Sequence, residues 1–176
     1  MLTLTLFRHA KSSWELTGVE DSERPLNARG MAAAPVMGSF LKKQGLKPDL
    51  VLCSTSVRTR QTLELASGDW DPEPRTKFEG ALYLAEPFNM LERVRKTPGT
   101  VKHLMIVGHN PGLQIFAIEL IGEGDPELIT ALSQKLPTAG VVVLTFESKS
   151  WKDIGPRKGR LVHFATPKML SAAAAE

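Results

Sequence analysis

Three short apolar runs, Leu2–Leu6, Leu50–Cys53 and Leu104–Val107, are separated by stretches in which apolar residues return at helical spacing. Strands of that length alternating with helices leave few architectures open. Parallel neighbours need a crossover, and the crossover helices then cover both faces of the sheet. The chain is predicted to form a single-domain α/β fold of three layers, with a mostly parallel central sheet flanked by helices. Its 176 residues suffice for one sizeable core and argue against two. The domain is expected over residues 1–170, with a tail over 171–176.

The residues just after each run point to chemistry. The alternating segment Leu2-Thr3-Leu4-Thr5-Leu6 ends in Phe7-Arg8-His9, the run Leu104–Val107 is followed after one glycine by His109, and Cys53 leads through Ser54-Thr55-Ser56-Val57 to Arg58. Open α/β sheets bind ligands at the carboxyl ends of their strands, so two arginines and two histidines are brought to one edge. An arginine ending an apolar strand is costly unless an anion or a carboxylate meets it. Each residue also has an ordinary reading: Arg58 in a surface ion pair with Glu64, and His9 and His109 as hydrogen-bonded structural histidines. Their joint occurrence at equivalent strand ends favours a phosphate clamp beside a nucleophile. His103, at a strand start, and His163, inside a strand, have weaker claims.

Local signals place the remaining elements. Asn27 caps a helix carrying Met31, Ala34, Met37 and Leu41 on one face, with Pro35 expected to kink it, and Gly45 and Pro48 end it. Ser54 or Ser56 caps the next helix, which runs to about Ala66, and Arg58 falls in its first turn. Gly68–Pro74 reads as a surface loop, and Phe88, Leu91 and Val94 mark a helix. Asn110 and Pro111 read as the N-cap and first residue of a helix to Leu120, stopped by Gly122. Asp125-Pro126 opens another helix, and Val141–Phe146 and Leu161–Ala165 are expected to pair as a hairpin.

Composition excludes several functions. The net charge of +3 comes from 22 basic and 19 acidic residues dispersed along the chain, with no Lys/Arg block for nucleic acid or lipid. No stretch approaches the roughly 20 apolar residues of a spanning helix, and Met1-Leu2-Thr3 has no charged signal-peptide start. With a single cysteine, Cys53, in an apolar run, a cytoplasmic location is expected. Cys53 and Arg58 do not fit the cysteine-phosphatase loop, which requires arginine where Thr59 stands. Walker A and Gly-x-Ser-x-Gly motifs are missing, and the four histidines lack metal-ligand spacing. Neither a metal nor an organic cofactor is expected.

The segment Leu6-Phe7-Arg8-His9-Ala10-Lys11 resembles the Arg-His-Gly signature of the histidine phosphatase superfamily, with Ala10 in place of glycine. Four further blocks resemble that phosphoglycerate-mutase-like superfamily in the same order: Arg24–Gly30, Cys53–Thr62, Val107–Gly112 and Leu136–Gly140. Length and the wording around the blocks are similar to the short SixA-like phosphohistidine phosphatases. The resemblance implies a phosphoglycerate-mutase-like fold and a phosphatase in which His9 attacks phosphorus while Arg8, Arg58 and His109 surround its oxygens. It also implies substrate contacts from Ser54 and from backbone amides near Thr138 and Ala139. Neutral imidazole is nucleophilic near pH 7, and two guanidinium groups both oppose its protonation and balance phosphate charge, so no metal is required.

Larger members place an acid in the middle of the chain, and Glu79, Glu86 and Asp21 are all candidates here. A departing imidazole needs protonation less than an alkoxide, which favours phosphohistidine as substrate. The short interval from Arg58 to His109 leaves little room for a lid, so the mouth is expected to admit a side chain borne on a protein. The expected partner is a phosphorylated substrate, a phosphohistidine-bearing signalling protein in the favoured case. The alternatives are a small-molecule phosphomonoesterase or mutase, and a phosphate-binding regulatory module without turnover.

Overall fold

The computed structural model describes residues 1–175. The strands are β1 Leu2–Arg8, β2 Leu50–Ser54, β3 Arg75–Glu79, β4 His103–Gly108, β5 Ile121–Gly124, β6 Val141–Phe146 and β7 Gly159–Ala165. The helices are α1 Ala28–Lys43, α2 Val57–Ala66, α3 Pro87–Arg95, α4 Gly112–Leu120, α5 Pro126–Gln134 and α6 Pro167–Ala175. They form one seven-stranded sheet in the order β3-β2-β4-β1-β6-β7-β5. β6 pairs antiparallel with both β1 and β7, whereas the other pairings are parallel, so β6 alone runs against the rest.

Alternation along the strands splits the core in two. Leu4, Leu6, Leu52, Leu104, Ile106, Val142 and Leu144 face one side, packed against Met90 and Val94 of α3, Phe116 of α4 and Leu132 of α5. Phe7, Val51, Cys53, Met105, Val107, Val141 and Val143 face the other, against Met37 and Leu41 of α1 and Leu63 and Ala66 of α2. Period-two side chains on central strands buried on both faces force this three-layer arrangement. The α1–α2 crossing is tight because Gly38 has no side chain: a Cβ there would lie 1.8 Å from the Ala66 carbonyl oxygen.

Several expectations change in detail. Asn27 caps α1, accepting from the Gly30 amide at 2.9 Å, and the helix continues through Pro35. Ser56, not Ser54, caps α2. Pro111 precedes α4 rather than beginning it, following a cis Asn110–Pro111 bond, although the Asn110 side chain accepts from Gln114 N at 3.2 Å. Gly122 lies within β5, which pairs with β7. β6 and β7 do pair antiparallel, across a connection containing a short 3-10 turn at Trp151–Asp153. α6 runs across the boundary at residue 170, so the expected tail is helical as far as Ala175, and residue 176 lies outside the described residues.

Candidate active site

β1 and β4 are parallel neighbours with Arg8 opposite Gly108, so the next residues along, His9 and His109, leave the sheet at the same level. The His9 amide donates to Gly108 O at 3.1 Å, and the two imidazole centroids are 5.4 Å apart. Ser54 ends β2, and Arg58 lies in the first turn of α2, where it is only 3% exposed. The four side chains singled out from strand ends are thus together. With Lys11, Ser12, Trp14, Arg24, Leu84, Asn110 and Thr138 they line a cleft of about 220 Å³.

His9 is held in one tautomer. Its Nδ1 lies 2.7 Å from the Ala10 carbonyl oxygen, which can only accept, so Nδ1 carries the proton and Nε2 presents a lone pair. Burial first, then the charges of Arg58 and Arg8, push its pKa down to about 4 against an opposing backbone hydrogen bond. The ring is neutral and nucleophilic at pH 7. Its loop is tied to α2, since Ala10 N donates to Thr62 Oγ1 at 2.9 Å and that hydroxyl donates to Arg58 O at 2.7 Å. On its other side, a Cβ on Gly30 would lie 2.2 Å from Lys11 O, so only glycine lets α1 approach this loop.

The guanidinium groups are anchored at their tips. Arg8 Nη1 donates to Leu136 O at 3.0 Å, while Arg58 donates through Nη1 to Asp21 O at 2.6 Å and through Nη2 to Asp21 Oδ2 at 2.9 Å. The Nε of each is buried and has no protein partner, leaving two donors in a site built of cations. A buried donor without an acceptor is costly, and the cation-lined cleft beside these groups favours an anion. His109 Nδ1 lies 3.4 Å from Arg58 Nη2; because arginine only donates, Nδ1 accepts and Nε2 donates to Ser54 Oγ at 2.7 Å. Burial, then the neighbouring His9 and Arg58, push the His109 pKa down to about 3. A bound dianion opposes those charges and raises both histidine pKa values, which favours His109 as a proton-bearing donor once the site is filled.

The candidate acids do not enter the cleft, and no Asp or Glu is among its lining residues. Asp21 instead accepts from Tyr83 Oη, Arg58 and Arg24, and these bonds, Tyr83 first, hold its carboxyl well below the usual carboxylate range. A carboxyl so firmly ionised has no proton to give. Glu79 makes a two-pronged ion pair with Arg93 at 2.7 and 2.9 Å, and Glu86 is exposed at the start of α3. Thr138 lines the cleft, but the Ala139 amide donates to His9 O at 2.9 Å and is not free for phosphate. Cys53 is fully buried with its thiol pushed up to about 12 by burial, which suits a core residue. His103 is bonded to Thr5 Oγ1 at 2.7 Å, and His163 packs edge-on against Phe40. Among the described residues no group of three His, Cys, Asp or Glu side chains could hold a metal ion. No described helix is long and apolar enough to cross a membrane.

Sequence reasoning assigns no site role to Lys11, Ser12, Trp14, Arg24, Leu84 and Asn110, which line the cleft, or to Tyr83 beside it. Trp14 was the visible one, a lone large aromatic in a polar stretch.

A sequence profile of the histidine phosphatase superfamily, branch 1, matches residues 4–79. An uncharacterized protein of Mycobacterium tuberculosis is 35% identical over 163 residues, covering 92% of this chain and 99% of its own. The chain belongs to the histidine phosphatase superfamily. It is a phosphatase-type enzyme with the SixA-like form of the fold. A structure from Agrobacterium tumefaciens assigned as phosphohistidine phosphatase SixA superposes with a TM-score of 0.80 at 29% identity, covering 94% of this chain and 98% of the other. A SixA-assigned structure from Nakamurella multipartitia gives 0.81 at 28% identity, covering 94% and 96%.

Proposed function

We propose that this superfamily member removes phosphate from phosphohistidine on a partner protein, by way of a covalent phosphohistidine at His9. In this reading His9 Nε2 attacks phosphorus in line with the leaving group. The P–N bond breaks, its electron pair passes to the departing ring nitrogen, and a substrate imidazole already protonated on its other nitrogen leaves neutral. Water then attacks the phosphoryl-His9, releasing inorganic phosphate and restoring the free ring. Arg8, Arg58 and His109 stabilise the charge on the equatorial phosphate oxygens, which is most of what phosphoryl transfer asks of a protein. Ser54 acts through His109, whose ring it holds at Nε2.

One observation carries the choice of substrate: the cleft has no carboxyl group to protonate a leaving alkoxide. Leaving groups of low basicity suit such a site, and imidazole is among them. The alternative is a small-molecule phosphomonoesterase, which the modest cleft volume of about 220 Å³ would also accommodate. The test is a panel comparing a phosphohistidine peptide with glycerate, sugar and serine phosphates. The expected result is a higher kcat/KM for the phosphoramidate, with aryl phosphates intermediate. A sugar or glycerate phosphate as best substrate overturns the reading in favour of the small-molecule one.

A further inference from the structure

Trp14 is 74% exposed, yet one face of its ring is covered. The Arg24 guanidinium carbon lies 3.5 Å from the centroid of its ring. Arg24 is itself 8% exposed and fixed on three sides, donating to Ser12 Oγ at 2.7 Å, Ser13 O at 3.1 Å and Asp21 Oδ1 at 3.1 Å. Anchored through Nε and Nη1, the Arg24 guanidinium presents a fixed plane on which the indole lies. The ring borders the same cleft as His9. Leu84 borders it too, 52% exposed, on a backbone with φ of 51° that a leucine rarely adopts. A strained residue holding an apolar side chain at a functional cleft, together with a large aromatic pinned beside it, is a costly arrangement for a surface that meets only water.

We propose that Trp14 and Leu84 form an apolar clamp for a flat ring on the leaving group, with Trp14 as the specificity-determining residue, while phosphate sits on Arg8 and Arg58. The clamp rests on the phosphohistidine reading, in which the ring is the imidazole of the substrate. Phosphate binding alone needs neither side chain. The clamp therefore separates ring-bearing substrates from ring-free ones of comparable leaving ability, through contact with the aromatic face.

The test measures kcat and KM for wild type, Trp14→Ala, Trp14→Phe and Leu84→Ala on four substrates. A phosphohistidine peptide and p-nitrophenyl phosphate carry rings; phosphoramidate and acetyl phosphate do not. Trp14→Ala is expected to lower kcat/KM for both ring-bearing substrates by about tenfold, chiefly through KM, and to change the ring-free pair by less than about twofold. Trp14→Phe is expected to recover most of the loss, and Leu84→Ala to give a smaller effect of the same pattern. An equal fall on all four substrates would mean that Trp14 serves only to seat Arg24, and no fall on the ring-bearing pair would refute contact; either overturns the clamp. If wild type turns over neither P–N substrate, the phosphohistidine reading fails, while p-nitrophenyl phosphate against acetyl phosphate still decides the clamp.

Discussion

Asp21→Asn separates two roles that a carboxylate beside a phosphatase site can play. The substitution keeps the backbone carbonyl that accepts from Arg58 Nη1 at 2.6 Å and a neutral side-chain oxygen near Nη2. What it removes is charge. The bond to Arg58 stays charge-assisted from the arginine side and only the ion pair is lost, which at this exposure weakens the Arg58 anchor by at most about 1 kcal/mol. The Asp21 side chain is 44% exposed, which keeps the figure at the low end. At about 1.4 kcal/mol per tenfold in rate, kcat/KM is expected to fall by roughly two- to fivefold. Because Arg58 is proposed to hold phosphate oxygens whatever the leaving group, the factor is expected to be the same for an alkyl phosphate, an aryl phosphate and a phosphoramidate. Steady-state kinetics on those three substrates reads it directly. If the alkyl phosphate loses about 10²-fold or more while the phosphoramidate is untouched, Asp21 is the proton donor and its hydrogen bonds do not keep it ionised.

Enzyme quenched in alkaline detergent is expected to carry acid-labile, alkali-stable phosphate at His9; His9→Ala abolishes label and turnover together, whereas Cys53→Ser leaves turnover within about twofold, and label mapped to another residue refutes the assignment. Gly30→Ala forces a Cβ to 2.2 Å from Lys11 O, so a stability loss of about 1–3 kcal/mol is expected with a fall in kcat, read by denaturant unfolding and kinetics, and an unchanged variant would show that the loop yields freely. Folded His9, His103 and His109 hold pKa values of about 4, 4 and 3, below the unfolded value of 6.5. The unfolded chain therefore takes up protons first. Stability present above pH 6.5 is expected to decline steeply as pH falls towards about 4, and vanadate is expected to reduce that decline; a flat unfolding free energy across the window refutes the shifts.

β2, β4 and β6 were legible because they are buried on both faces and nearly apolar along their length, as in Leu104–Val107. β3 and β5 were not: both lie at sheet edges, and Arg-Thr-Lys-Phe-Glu and Ile-Gly-Glu-Gly bury too little to leave an apolar signature. The same division holds at the site. Arg8, His9, Arg58 and His109 stood out because strand ends place them locally. The use of Asp21 depends on Arg58, 37 positions away, and on Tyr83, 62 away, and no local pattern encodes such pairings. The Ala139 amide looked available because the expected β6–β7 hairpin does not announce that β6 also pairs antiparallel with β1 and brings residue 139 onto the His9 carbonyl.

That reversed strand also sets when the protein can become active. β1 is made before the strands it pairs with and lies in the sheet between β4 and β6, so neither of its edges is covered until residues 103–108 and 141–146 have been made. The Arg8 anchor on Leu136 closes a loop of 128 residues. Contacts of such separation are formed at high entropic cost, which makes them slow and late. Until then the apolar N-terminal strand is an unpaired template for aggregation. A chain arrested before Leu136 carries His9 and Arg58 yet lacks the carbonyl that holds Arg8, so the arginine clamp is completed only late in synthesis.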